Sequence, residues 1–175
     1  MRKAIFLMFL LFFINGYSQK EINSSKRTGQ ISLDGYLEEA DWVNANWTSG
    51  FTQMKPFPGE KASKKTEVAM LFDQEAIYFG VKCYDHPDSV SRVLSLRDDF
   101  NPNLDFFGIF LDTYNDKQNG FFFGLSSRGV QVDAKIFSED FNDLLNLVWR
   151  SKTQINDQGW FAEIKIPYSA LRFPK

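Results

Sequence analysis

From Lys65 onward the chain is a succession of apolar runs of strand length, each closed by turn residues, and this pattern excludes most helical folds. Thr66–Asp73 and Ala76–Tyr84 are two such runs, joined by Asp73-Gln74-Glu75, a hairpin signal. Asp105–Asp112, Gly120–Ser126, Val130–Phe137, Leu147–Ile155 and Trp160–Ile166 follow, with Ser127-Arg128-Gly129 and Asn156-Asp157-Gln158-Gly159 as turns. Seven or eight strands with hardly any helix predict an all-β fold, an antiparallel β-sandwich of jelly-roll-like form. The 19 phenylalanines supply large side chains for a two-sheet core. Cys83 is the only cysteine, so an internal disulfide is excluded, and its place among alternating apolar residues predicts a buried thiol.

The opening differs in kind. Met1-Arg2-Lys3 is basic, Ala4–Ile14 is apolar but too short to span a bilayer comfortably, and Asn15-Gly16-Tyr17-Ser18 brings helix breakers and small residues. Residues 1–18 therefore read as a signal peptide cleaved after Ser18. The chain is expected to be exported, with a periplasmic, outer-membrane-associated or extracellular location. Residues 19–30 form a polar, irregular lead-in, and 31–175 form one domain. Within it, Ile31–Gly35 predicts a short strand ending in an Asp-Gly turn, and Tyr36–Trp42 one or two helical turns. Pro56–Glu60 is a loop. Pro167 stops the last strand, and Tyr168–Leu171 reads as a single turn. A sandwich of this kind ordinarily carries partner strands after such a turn, so its last strands are expected beyond Lys175, in a longer protein. The 20 basic and 22 acidic residues form no basic stripe, which argues against nucleic acid as a partner.

Four blocks in order resemble the family 9 carbohydrate-binding modules. The first is Ile31-Ser32-Leu33-Asp34-Gly35 with Trp42, and the second is the hairpin Val68–Asp73 and Ala76–Val81 followed by Tyr84-Asp85. The third is Asp105-Phe106-Phe107-Gly108-Ile109-Phe110-Leu111-Asp112, and the fourth is Gly159-Trp160-Phe161-Ala162-Glu163-Ile164-Lys165-Ile166-Pro167. Arg97-Asp98-Asp99, Leu111–Asp116 and Ala170–Phe173 look closest to the amino-terminal domain of large exported bacterial proteins. That likeness implies a C-terminal partner region, a membrane barrel or a hydrolase. The family clamps a sugar between two tryptophans, bonded by a glutamate and an arginine. At the corresponding places this chain has Phe100 for the first aromatic, Gly108 for the glutamate and Phe121-Phe122-Phe123 for the arginine.

Sugar recognition lays the apolar face of a pyranose on an aromatic ring while planar polar groups bond its hydroxyls. Phe100, Arg97, Asp98, Asn103 and Trp149 are the candidate ligand-binding residues, Arg97 because its guanidinium forks onto vicinal hydroxyls or carboxylates. Trp42 and Trp160 are expected to be core plugs, and packing is the favoured role of Trp47 and Trp149 as well. Asp105, Asp112 and Asp116 belong to a set of Asp and Asn residues offering the hard oxygens that Ca2+ prefers, so structural calcium is the candidate cofactor; the same residue types also favour turns without any metal. His86 is the only histidine, which excludes a multi-histidine zinc site. Glycosidic hydrolysis needs two convergent carboxylates; Glu38, Glu39, Glu67 and Glu163 are available, but Glu67 and Glu163 read as exposed sheet-face residues. The expected function is polysaccharide or oligosaccharide binding accessory to polysaccharide breakdown. The alternative is a docking domain without a sugar ligand. A face lined by exposed Phe or Trp points to the first, and a flat face of Lys, Thr and Glu to the second.

Overall fold

The computed structural model describes residues 20–99, 101, 103–138, 140–142 and 145–174, so the leader read over 1–18 and Phe100 lie outside the described residues. Strands β1 (Ser25–Lys26), β2 (Thr48–Ser49), β3 (Thr66–Phe72), β4 (Ala76–Tyr84), β5 (Phe106–Leu111), β6 (Asn119–Ser126), β7 (Gln131–Phe137), β8 (Asp140–Asn142), β9 (Arg150–Asn156) and β10 (Gly159–Pro167) occur with a helical turn, α1 (Ala40–Val43), between β1 and β2 and a 3-10 turn, Tyr168–Ala170, after β10. A six-stranded sheet runs β1-β3-β4-β10-β9, with β2 also on β3, and a four-stranded sheet runs β5-β6-β7-β8. Every pairing is antiparallel except β1 with β3. The chain is a two-sheet antiparallel β-sandwich.

Alternation sorts each strand's side chains to two faces. Val68, Phe79, Val81, Trp160, Ala162, Ile164 and Ile166 point inward from the first sheet, and Ile109, Phe121, Phe123 and Leu125 meet them from the second. Cys83 packs against this core, and burial pushes its thiol up to about 12, the chemistry of an inert core residue. The β3–β4 hairpin is held by Asp73. Its Oδ1 accepts from the backbone N–H of Glu75 and of Ala76, both at 2.8 Å. Its Oδ2 accepts from Arg27 Nη2 at 2.6 Å and from the Tyr78 hydroxyl at 2.9 Å.

A third layer covers the outer face of the first sheet. Leu37 and Trp42 are buried there on Ala69, Leu71, Tyr78 and Phe161. At its centre the Trp42 indole Nε1 donates to Glu163 Oε1 at 2.8 Å, and the backbone N–H groups of Asp34 and Gly35 donate to Oε2 at 2.8 and 2.7 Å. Gly80 is the cross-strand partner of Glu163, and a Cβ at Gly80 would stand 2.9 Å from Leu37 and 3.0 Å from the Trp42 ring. A bare backbone at that position makes room for the indole beside the carboxylate.

Four sequence expectations change here. Glu163 is fully buried, not exposed, because the N-terminal segment covers the sheet face on which alternation placed it. Glu67 is half-buried, its carboxylate accepting from the Tyr84 hydroxyl at 2.8 Å and facing Lys65 at 2.6 Å. Ile31–Gly35 is not a strand, because two of its N–H groups bond Glu163 in place of a neighbouring strand. The lead-in contains β1, paired with Leu71 and Phe72.

Two predictions follow from these carboxylates. Glu163→Ala strands two buried donors and a part-buried one, the buried ones each worth about 1–3 kcal/mol, so the loss of stability should reach about 3 kcal/mol in urea titration. Glu163→Gln, which keeps one carbonyl but turns an amide toward the indole, should lose less; an unchanged midpoint for both would refute the assignment. Burial opposes ionisation of Asp73, but the N–H groups of Glu75 and Ala76, with Arg27 and Tyr78, outweigh it and hold the carboxyl well below the usual range. A depressed folded-state value gives stability that is complete above the unfolded value of roughly 3.9 and is lost as pH falls below it. Asp73→Asn should therefore be less stable than the parent at pH 7 and show a shallower fall in stability between neutral pH and roughly pH 3.

Candidate functional site

The outer face of the four-stranded sheet is aromatic. Phe110 lies opposite Phe122, Gly108 opposite Gly124 and Ile136 opposite Phe141, so these side chains share that face. Phe122 is the hub: its ring centroid is 4.7 Å from Phe110, 5.4 Å from Phe141 and 6.1 Å from Phe106, the last pair inclined by only 22°. The hub is buried with Val132 and Ala134, whereas Phe106, Phe141 and Phe110 are exposed, Phe110 to 67%. A Cβ at Gly108 would stand 2.6 Å from the Phe122 ring, and one at Gly124 would run into the Phe106 ring. The two glycines are what allow the rings to lie along the sheet. Beside Phe110 a hollow of about 190 Å³ is rimmed by Asp112, Lys117, Gln118 and Asn119. An exposed ring next to charged and amide groups can stack an apolar ring face and bond its polar substituents.

A second concavity, about 850 Å³, lies on the outer side of the first sheet along β9. Gln30, Ile31, Ser32, Leu33 and Glu39 form one rim, and Gln131, Trp149, Arg150, Ser151 and Lys152 the other, with Arg27, Tyr78 and Lys165 between them.

Of the sequence-selected ligand residues, the structure brings Arg97, Asp98 and Trp149 together around Asp133. This fully buried carboxylate, on the inner face of β7, receives the Trp149 indole N–H at 3.0 Å, the Leu147 N–H at 2.7 Å and the Arg97 guanidinium. Arg97 also donates to Gln131 Oε1 at 2.7 Å, and Asp98 Oδ1 accepts from the Asp133 N–H at 3.1 Å. Arg97 and Asp98 thus fasten a loop to the edge of β7. Trp149 packs edge-on against Phe123 at 5.5 Å, buried as packing predicts, and borders the large cleft. This plug is also why β9 begins at Arg150 and not at Leu147. Asn103 is exposed, in a turn where its N–H bonds Asn101 Oδ1 at 2.9 Å.

The aspartates proposed as calcium ligands are dispersed. Asp105 and Asp112 flank opposite ends of the six-residue β5, about 20 Å of extended chain. Asp105 accepts from the Ser91 N–H at 2.6 Å, and Asp112 from Tyr114 and Lys117 at 3.1 and 2.8 Å. Asp116 accepts from Gln118 and Asn119 at 2.8 and 2.7 Å. Among the described residues no group of three or more His, Cys, Asp or Glu stands close enough to hold a metal ion. The three aspartates therefore do not fit a single calcium site; Asp112 and Asp116 close turns, and Asp105 ties the Ser91 loop to the start of β5.

Sequence reasoning missed the aromatic face as a unit. The signal was present in Phe121-Phe122-Phe123, where both alternation classes are apolar, which on a strand means that neither face is simply solvated.

The sequence matches no family model and no curated protein. The structure is similar to two solved structures of a family 9 carbohydrate-binding module from Caldicellulosiruptor kristjanssonii. For the complex with cellotriose, the TM-score is 0.59 at 18% identity, covering 84% of this chain and 67% of that one. For the complex with glucose, the TM-score is 0.58 at 19% identity, covering 87% of this chain and 72% of that one. The chain has the β-sandwich fold of the family 9 carbohydrate-binding modules.

Proposed function

We propose that this chain is a carbohydrate-binding domain that stacks a pyranose on Phe110 at the outer face of the four-stranded sheet. The observation that carries the reading is that exposed ring, set on the buried Phe122 and bordered by a hollow whose rim carries Asp112, Lys117, Gln118 and Asn119. The fold supports it, since structural neighbours of the same architecture are complexes with cellotriose and with glucose. The surface is of the phenylalanine-lined kind, in contrast to the flat Lys, Thr and Glu face of a docking domain. The leader-like opening of residues 1–18 supports export, and the domain then serves as the substrate-holding accessory of a polysaccharide hydrolase, or as the exposed module of a barrel protein, in the same chain or pathway.

Titration with cellotriose and glucose, and electrophoresis in polysaccharide gels, test the reading. Phe110→Ala should weaken binding roughly tenfold, the equivalent of about 1.4 kcal/mol, with no change in melting temperature because the ring is largely exposed. Gly108→Leu, which forces the Phe122 ring aside, should weaken it too. Undiminished binding by Phe110→Ala, or no retardation of the parent chain on any polysaccharide, would overturn the proposal.

A further inference from the structure

The cleft along β9 carries a charge opposite to that of the chain. Its lining holds Arg27, Arg150, Lys152 and Lys165 against the single acid Glu39, while the protein as a whole has a net charge of −2. Arg27 is neutralised by Asp73 at 2.6 Å. Glu39 is turned to its own backbone rim, its Oε1 accepting the Ser32 N–H at 2.8 Å. The other three cations have no carboxylate within ion-pair distance among the described residues.

Their placement is set by register. Arg150 is the direct cross-strand partner of Lys165, and Lys152, two residues along β9, faces the same way. Like charges directly opposite each other on a sheet are destabilising, and among the described residues no carboxylate offsets that cost for this pair. Tyr78 fixes the floor, its ring lying 5.3 Å from Lys165 Nζ and 5.2 Å from the Arg27 guanidinium carbon. The volume is within the range of small-ligand sites. An arginine fork with two flanking ammonium groups is complementary to a carboxylate, which accepts both N–H bonds of the fork in plane.

We propose that this cleft is a second binding site, selective for a uronate-type saccharide, whose ring carboxylate is held by Arg150 and Lys165 with Lys152 at the rim. It lies on the opposite outer face of the sandwich from Phe110. The choice of a saccharide over another carboxylate rests on the carbohydrate-binding reading above; the anion selectivity does not.

Affinity electrophoresis of the full chain tests it, in gels containing polygalacturonate, the same polymer with its carboxyls reduced, or poly-glutamate. Retardation is expected to be stronger in polygalacturonate than in either other gel, the excess weakening as ionic strength rises from roughly 20 to 200 mM because the contacts are screened. Arg150→Gln with Lys165→Gln should lower that affinity about tenfold or more, and Lys152→Gln severalfold, whereas Arg150→Lys with Lys165→Arg should keep most of it. Phe110→Ala should leave it unchanged, so loss of neutral-sugar binding and loss of uronate binding are separable results. Equal retardation in the carboxyl-reduced polymer, or an undiminished double Gln variant, would overturn the site. Equal retardation by poly-glutamate would overturn its assignment to a saccharide.

Discussion

Burial of the Glu163 carboxylate is the constraint on which the outer layer of the molecule depends. A carboxylate taken out of water is tolerated only where donors replace its hydration. Here the donors come from the Asp34-Gly35 backbone and from the Trp42 indole, 121 residues away from it in sequence. Burial still pushes the carboxyl upward against those three bonds, so they work in compensation more than in surplus. The carboxylate and its donors thus behave as one unit: a glycine at position 80 for the indole to lie on, an Asp-Gly turn whose N–H groups face inward, and a Trp one short helical turn later. The same unit fixes residues 30–39 over the first sheet and so builds one rim of the β9 cleft.

A second carboxylate repeats this solution at the inner face. Asp133 collects the Trp149 indole, the Leu147 N–H and Arg97, and so closes the crossing from β8 to β9. Residue type alone offers Arg97, Asp98 and the acidic loops as chemistry. Geometry shows instead that Asp73, Asp105, Asp112, Asp116, Asp133 and Glu163 each accept backbone or indole N–H groups from their surroundings. In a fold without a disulfide, such carboxylate hubs do the stapling that covalent links do elsewhere.

This explains what was legible in the sequence. The seven long strands were readable because each is a local apolar run of strand length closed by turn residues or, for β10, by Pro167. Strands β1, β2 and β8 have two or three residues each and carry no period. Ile31–Gly35 has strand composition, but its backbone partner is a side chain 128 or 129 residues later, a fact that no local pattern holds. The burial of Glu163 was hidden for the same reason: alternation says which face a residue is on, not what covers that face. The aromatic face is the intermediate case, since the apolar excess of β5 and β6 was visible, whereas the glycine pair beside Phe110 and Phe122 acquires meaning only from cross-strand register.

Register also decides why the cationic row is not removed by rearrangement. The β9–β10 turn is closed by the Gln158 N–H on Asn156 Oδ1 at 2.9 Å, with Gly159 at φ 138°, and this sets Arg150 against Lys165. A slip of β9 by one residue would carry Arg150 and Lys152 to the inner face, beside Trp149 and Phe123, and bring Ser151 and Thr153 outward. Burying two unpaired cations costs far more than exposing a like-charged pair to water. The repulsion on the outer face is therefore the lesser of two electrostatic penalties, and it is one that a bound carboxylate would relieve without any movement of the backbone.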